Sequence, residues 1–76
     1  MAGIRPIPSR EFEKFLKTVG CVEIRTRGDH VMYNRPGIRR PVVVCRGRNI
    51  SVVEIMSNLR TLGINPKDYL EMLQKL

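Results

Sequence analysis

Arg27-Gly28-Asp29-His30-Val31-Met32-Tyr33-Asn34 decides the fold. Ahead of it, Cys21-Val22-Glu23-Ile24-Arg25 alternates polar and apolar residues with period two. His30 to Asn34 alternates in the same way. Between the two runs, Arg27-Gly28-Asp29 is a turn in which Gly28 is free to take positive φ. Two short alternating runs joined this tightly predict an antiparallel hairpin. Arg35-Pro36-Gly37 reads as a second turn, with Pro36 and Gly37 at its corners. Pro41-Val42-Val43-Val44-Cys45 then reads as a third strand, its proline at the entry where no ladder donor is needed. Val31 and Tyr33 share one side of their strand. If that side faces the core, His30 and Met32 face outward, because a one-residue slip would invert every side chain. The apolar run of the third strand does not by itself reveal its inner face.

Outward from the strands the pattern turns helical. Phe12, Phe15, Leu16 and Val19 fall at i, i+3, i+4 and i+7. Ser9 reads as N-cap, Glu11 and Glu13 suit the positive end of the helix, and Gly20 reads as a left-handed stop, for a helix over about 9–19. Arg46-Gly47-Arg48-Asn49 is a polar loop. Ser51 and Glu54 have capping-box spacing ahead of the stripe Val52, Ile55, Met56, Leu59 and Leu62, which Gly63 closes. Asn65-Pro66 opens a last helix, with Tyr69, Leu70, Met72, Leu73 and Leu76 on its apolar side. The order α-β-β-β-α-α predicts an α+β fold, a three-stranded antiparallel sheet with helices on one face and the other face open. The expected core is Phe12, Phe15, Leu16, Val19, Val22, Ile24, Val31, Tyr33, Val43, Ile55, Leu59, Leu62 and Leu70. One domain over 1–76 is expected, with residues 1–8 as an extended lead-in and no repeat or linker.

Composition narrows the function. With 76 residues and 42% hydrophobic content there is material for one small core and no deep cavity. Two cysteines make no disulfide framework. No apolar stretch approaches ~18 residues, so no membrane span is expected. The first six residues lack the apolar run of a signal peptide, so a reducing, cytoplasmic setting is expected. The net charge is +7, and ten arginines outnumber four lysines. Arg25, Arg27, Arg35, Arg39, Arg40, Arg46 and Arg48 crowd the middle, with Asp29 the only acid among them. Guanidinium forks match phosphate oxygens. The segment therefore reads as a polyanion-binding face for nucleic acid, against the plainer reading of a solvated basic surface. Cys21, Cys45 and His30 lack metal-ligand spacing, and there is no phosphate-cradling glycine loop. No metal and no cofactor are expected. Tyr33 reads as core rather than as a stacking platform.

His30 is the only histidine. At the head of a strand on the open face, it suits proton transfer to and from an RNA 2′-hydroxyl, with arginine stabilising the charge that develops on phosphorus. As a lone histidine in a basic protein it also reads as an ordinary surface residue. Ser9-Arg10-Glu11-Phe12 through Gly20, Arg27-Gly28-Asp29-His30-Val31-Met32-Tyr33, and Leu59-Arg60-Thr61-Leu62-Gly63-Ile64 followed by Tyr69-Leu70 together resemble the HicA-type (YcfA-like) toxins over about residues 7–73. The resemblance implies a double-stranded-RNA-binding-like fold and a toxin that cleaves mRNA in the cytoplasm without a metal. It implies catalysis by His30, presented by Gly28 and Asp29, and neutralisation by a HicB-type antitoxin. Two departures stand in this chain. Asp29 occupies the place of a family serine, and Val44-Cys45-Arg46-Gly47-Arg48 replaces a segment that often carries a second histidine. The alternative they leave open is a non-catalytic RNA-binding module of the same architecture.

Overall fold

The hairpin forms where the alternation places it. In a computed structural model that describes residues 3–76, the elements are β1 (Ile7–Pro8), α1 (Ser9–Thr18), β2 (Val22–Arg27), β3 (His30–Asn34), β4 (Val42–Cys45), β5 (Asn49–Ile50), α2 (Val52–Leu62) and α3 (Pro66–Gln74). Met1 and Ala2, the start of the expected lead-in, lie outside the described residues. β2, β3 and β4 make one antiparallel sheet in that order. Arg27 stands opposite His30, and His30 opposite Cys45. The fold is the expected α+β arrangement. The lead-in also does more than extend. β1 pairs with β5, Ile7 opposite Ile50, in a second, two-stranded sheet.

The phase of β3 follows its period. Val31 and Tyr33 are fully buried, and His30 is exposed. Their neighbours on β4, Val44 and Val42, are buried with them. Val43, expected in the core, is 45% exposed on the opposite face. Its strand is apolar on both sides, so only the pairing with β3 decides which side turns inward.

Val22 and Ile24 correct the expected core further, being 64% and 53% exposed. β2 is the sheet's edge, and α1 packs against β4 and β5. The inward positions of β2 are Glu23, opposite Tyr33, and Thr26, opposite Val31. An irregularity in the pairing between Glu23 and Arg25 leaves Ile24 as the extra residue. The edge strand thus has a polar inner face, and its aliphatic residues point to the open side. Val19 and Leu70 pack against the core while only partly buried; Ile4, Val42, Val44 and Ile50 join it from outside the expected set.

Around this sheet the helices close the core with Phe12, Phe15, Leu16, Ile55, Leu59, Leu62 and Tyr69. Tyr69 meets Phe15 edge-on at 4.9 Å between ring centroids, joining α3 to α1. Each such side chain contributes about 1.5–3 kcal/mol by leaving water. The helix ends follow local chemistry. Ser51 and Glu54 form the reciprocal capping box, and Asn65 Oδ1 accepts from the Asp68 N–H at 2.8 Å. α1 ends with Gly20 at φ +92°, where the Cys21 N–H reaches back to the Leu16 carbonyl at 2.9 Å. Ser9 is not the N-cap. Pro8 holds that position, and Ser9 is the first helical residue. The β1–β5 pairing brings Gly47 and Arg48 against the helix start, where Ser9 Oγ accepts from the Gly47 N–H and the Ser9 N–H donates to the Arg48 carbonyl.

Candidate active site on the open sheet face

The two-residue turn Gly28-Asp29 joins β2 to β3. Gly28 has φ +61° and no other residue of the turn has positive φ, the pattern of a type II′ hairpin, which matches the twist of its strands. The end of β4 pins this turn, since the Arg46 N–H donates to the Asp29 carbonyl at 2.7 Å. His30 therefore leaves a fixed backbone, flanked by Arg27 and Cys45 on the neighbouring strands. Its side chain is 64% exposed. Asp29 Oδ1 stands 3.8 Å from His30 Nδ1, and the Cys45 thiol points to Asp29 Oδ2 at 3.8 Å. One carboxylate thus faces both an imidazole and a thiol.

The arginine-rich segment does not make a single face. Arg25 and Arg27 point to the open side, opposite Met32 and His30. Arg39 and Arg40 lie in the β3–β4 connection, at the other end of the sheet, and line a cleft of about 530 Å³ with Arg60 of α2. The remaining three are engaged. Arg35 donates to the carbonyls of Val19 at 2.7 Å and Leu62 at 2.6 Å, clamping the ends of α1 and α2 where helix dipoles favour a cation. Arg48 donates to Glu54 at 3.1 Å. Its guanidinium is held above the ordinary value by the Cys45 side chain first and by the Glu54 charge next.

Arg46 lies on the helix side of the sheet. Its Nε and Nη2 grip the Glu13 carboxylate, and Nη2 also reaches Glu23 at 3.1 Å. The Tyr33 hydroxyl donates to the same Glu13. Arg46 holds the Glu13 carboxyl below its ordinary 4.5 against the opposing effect of burial. Burial, then the Glu13 contact, pushes the Tyr33 phenol up to about 12. No sequence signal announced this cluster, because its members are 13, 33 and 46 along the chain. The approach of Cys45 to His30 was equally hidden, since it depends on the β3–β4 register across a seven-residue connection.

A family model described as the HicA toxin of bacterial toxin-antitoxin matches residues 9–64. The chain belongs to the HicA toxin family. No curated protein and no solved structure matches it. Membership gives the chain a toxin's role and an antitoxin for a partner. The matched span runs from α1 to the end of α2 and contains the whole hairpin with His30. Helix α3 lies beyond it, although Tyr69 of α3 is buried in the same core. Among the described residues, no helix of this HicA-family chain is long and apolar enough to cross a membrane.

Proposed function

We propose that this HicA-family toxin is an endoribonuclease that cleaves mRNA without a metal, with His30 as general base and acid. The observation that carries the reading is the exposed imidazole at the head of β3, with Arg27 opposite it on a pinned hairpin. The ring takes the proton of a ribose 2′-hydroxyl, whose oxygen attacks the adjacent phosphorus. The 5′-oxygen leaves with a proton, and a 2′,3′-cyclic phosphate remains. Arg27 and Arg25 hold the phosphodiester and stabilise its developing charge. Asp29, facing Nδ1, is a positioning residue that turns Nε2 toward the substrate. The proposed partner is a HicB-type antitoxin, and the proposed compartment is the cytoplasm.

Binding of RNA without cleavage draws on a different observation. Arg39, Arg40 and Arg60 gather in one cleft remote from His30, where they can hold phosphates without chemistry. One assay separates the readings. Antitoxin-free protein is incubated with end-labelled RNA in chelator-containing buffer, wild type beside His30→Ala. The nuclease reading expects fragments ending in cyclic phosphate, formed about 10²–10⁴ times more slowly by the variant. RNA bound by the wild type but left intact would reject it in favour of binding alone.

A further inference from the structure

We propose that Asp29, His30 and Cys45 form a binding site for a thiophilic divalent cation, with Zn²⁺ the ion their chemistry fits. One ligand atom from each, an imidazole nitrogen, a carboxylate oxygen and a thiol sulfur, lies within 4.8 Å of the other two. Zn²⁺ takes these three donor types at about 2.0–2.3 Å in tetrahedral geometry, which sets ligand atoms roughly 3.3–3.7 Å apart. Asp29 approaches His30 Nδ1 through Oδ1 and the Cys45 sulfur through Oδ2, each at 3.8 Å. Bringing one carboxylate oxygen, the ring nitrogen and the sulfur from within 4.8 Å to zinc-ligand spacing closes any pair by at most about 1.5 Å, within a side-chain rotation for residues that are exposed or half-buried.

The backbone beneath the cluster is built. His30 and Cys45 are direct cross-strand neighbours, and the Arg46 N–H fixes the Asp29 carbonyl. Ordering the ligands therefore costs little beyond their side-chain torsions. Thiolate and imidazole select zinc over magnesium or calcium, which prefer all-oxygen shells. The carboxylate and the thiolate together bring two negative charges, which neutralise a divalent ion inside a basic protein. Three protein ligands leave a fourth position open to water.

Occupancy has a consequence for His30. With Nδ1 on the metal, Nε2 carries the ring's proton and has no lone pair to accept another. Zinc then silences the imidazole as a base. This consequence rests on the proposed nuclease activity; the site itself does not.

Titration of the purified full-length chain with Co²⁺, a spectroscopic substitute for zinc, tests the site. The expected result is one ion per chain, a thiolate-to-cobalt charge-transfer band, tetrahedral visible bands, and displacement by Zn²⁺. Cys45→Ser abolishes the charge-transfer band. Asp29→Asn and His30→Gln each weaken binding by at least about tenfold, the minimum seen even for supporting groups around such sites. Cys21→Ser, at the other, buried cysteine, leaves the spectrum unchanged. Circular dichroism checks that each variant is folded. A spectrum without the charge-transfer band, or binding equally tight in folded Cys45→Ser, overturns the proposal. RNA cleavage is measured separately, with and without Zn²⁺. Equal rates overturn the silencing, whereas no cleavage by metal-free wild type rejects the nuclease reading and leaves the cobalt result standing.

Discussion

Arg46 grips Glu13 with two nitrogens, Nε to Oε2 at 2.9 Å and Nη2 to Oε1 at 2.8 Å. Its backbone N–H meanwhile holds the carbonyl of Asp29 at 2.7 Å. One residue thus links α1, the end of β4 and the turn that presents His30. A guanidinium from the most basic stretch of the chain serves the scaffold, and the carboxylate it neutralises is buried. The position of His30 therefore depends on an ion pair on the far side of the sheet from it.

Acid should dismantle that link. Glu13 is held below its ordinary carboxyl value, mainly by Arg46, so its contribution is present above about pH 4.5 and is lost as pH falls through the lower folded value. Glu13→Gln is expected to cost about 1.5–3 kcal/mol at neutral pH, the worth of hydrogen bonds to a charged group. It should also flatten the acid limb of stability. Urea denaturation from pH 7 downward measures both. At the alkaline end the sign reverses. Tyr33 is raised from 10.0 to about 12, so its contribution is present below 10 and lost as pH rises through 12.

The arginines should divide into two classes by experiment. Arg25→Ala, Arg27→Ala, Arg39→Ala and Arg40→Ala remove exposed side chains and should leave stability within about 0.5 kcal/mol. Those that touch RNA phosphates each reduce the slope of log K against log salt by about 0.7–0.9. Arg35→Ala behaves differently. It releases the Val19 and Leu62 carbonyls that its guanidinium clamps, so it lowers the melting temperature. Salt-dependent RNA binding and thermal unfolding on the same set of proteins check the division. A normal melting temperature for Arg35→Ala would contradict the clamp.

Tyr69 carries a correctable cost. Its ring fills the centre of the core against Phe15, yet its buried hydroxyl finds no hydrogen-bond partner among the described residues. Burial, then the charge of Glu11, pushes that phenol up to about 12. Tyr69→Phe keeps the edge-on contact and removes the unpaired group, so it should stabilise the fold by about 1 kcal/mol. Calorimetric unfolding reads this directly. A loss of stability would mean that the hydroxyl is satisfied in solution.

Legibility from sequence tracked how local each determinant is. The helix-2 capping box, the Asn65-Pro66 start and the Gly28-Asp29 turn are chemistry within four residues, and each lies where the residues placed it. His30 on the open face followed from period two within one strand. Which face of β2 and of β4 turns inward depends on a partner strand, and there the alternation alone misleads. Val22 and Ile24 alternate as an inner face would, but the order β2-β3-β4 puts them on an edge beyond the helices. The conversion of Arg46 from surface cation to buried-carboxylate partner needs Glu13, 33 residues away. The Asp29–His30–Cys45 cluster likewise appears only once β4 is laid against β3.

The phase of β4 yields a sharper test, because two adjacent valines there have opposite fates. Val44 is 1% exposed beside Val31 in the core, and Val43 is 45% exposed beside Met32 on the open face. Threonine matches valine in shape and replaces one methyl by a hydroxyl. At Val43 that hydroxyl meets water, so Val43→Thr should change stability by less than about 0.5 kcal/mol. At Val44 it enters an apolar layer formed with Val31, Val42 and Tyr33, and Val44→Thr should cost about 1–3 kcal/mol. Urea midpoints at constant slope measure the difference without interference from a change in the surface exposed on unfolding. Equal costs at both positions would mean that the open face is covered in solution. Reversed costs would mean that β4 is paired one residue out of register, which would also carry Cys45 away from His30.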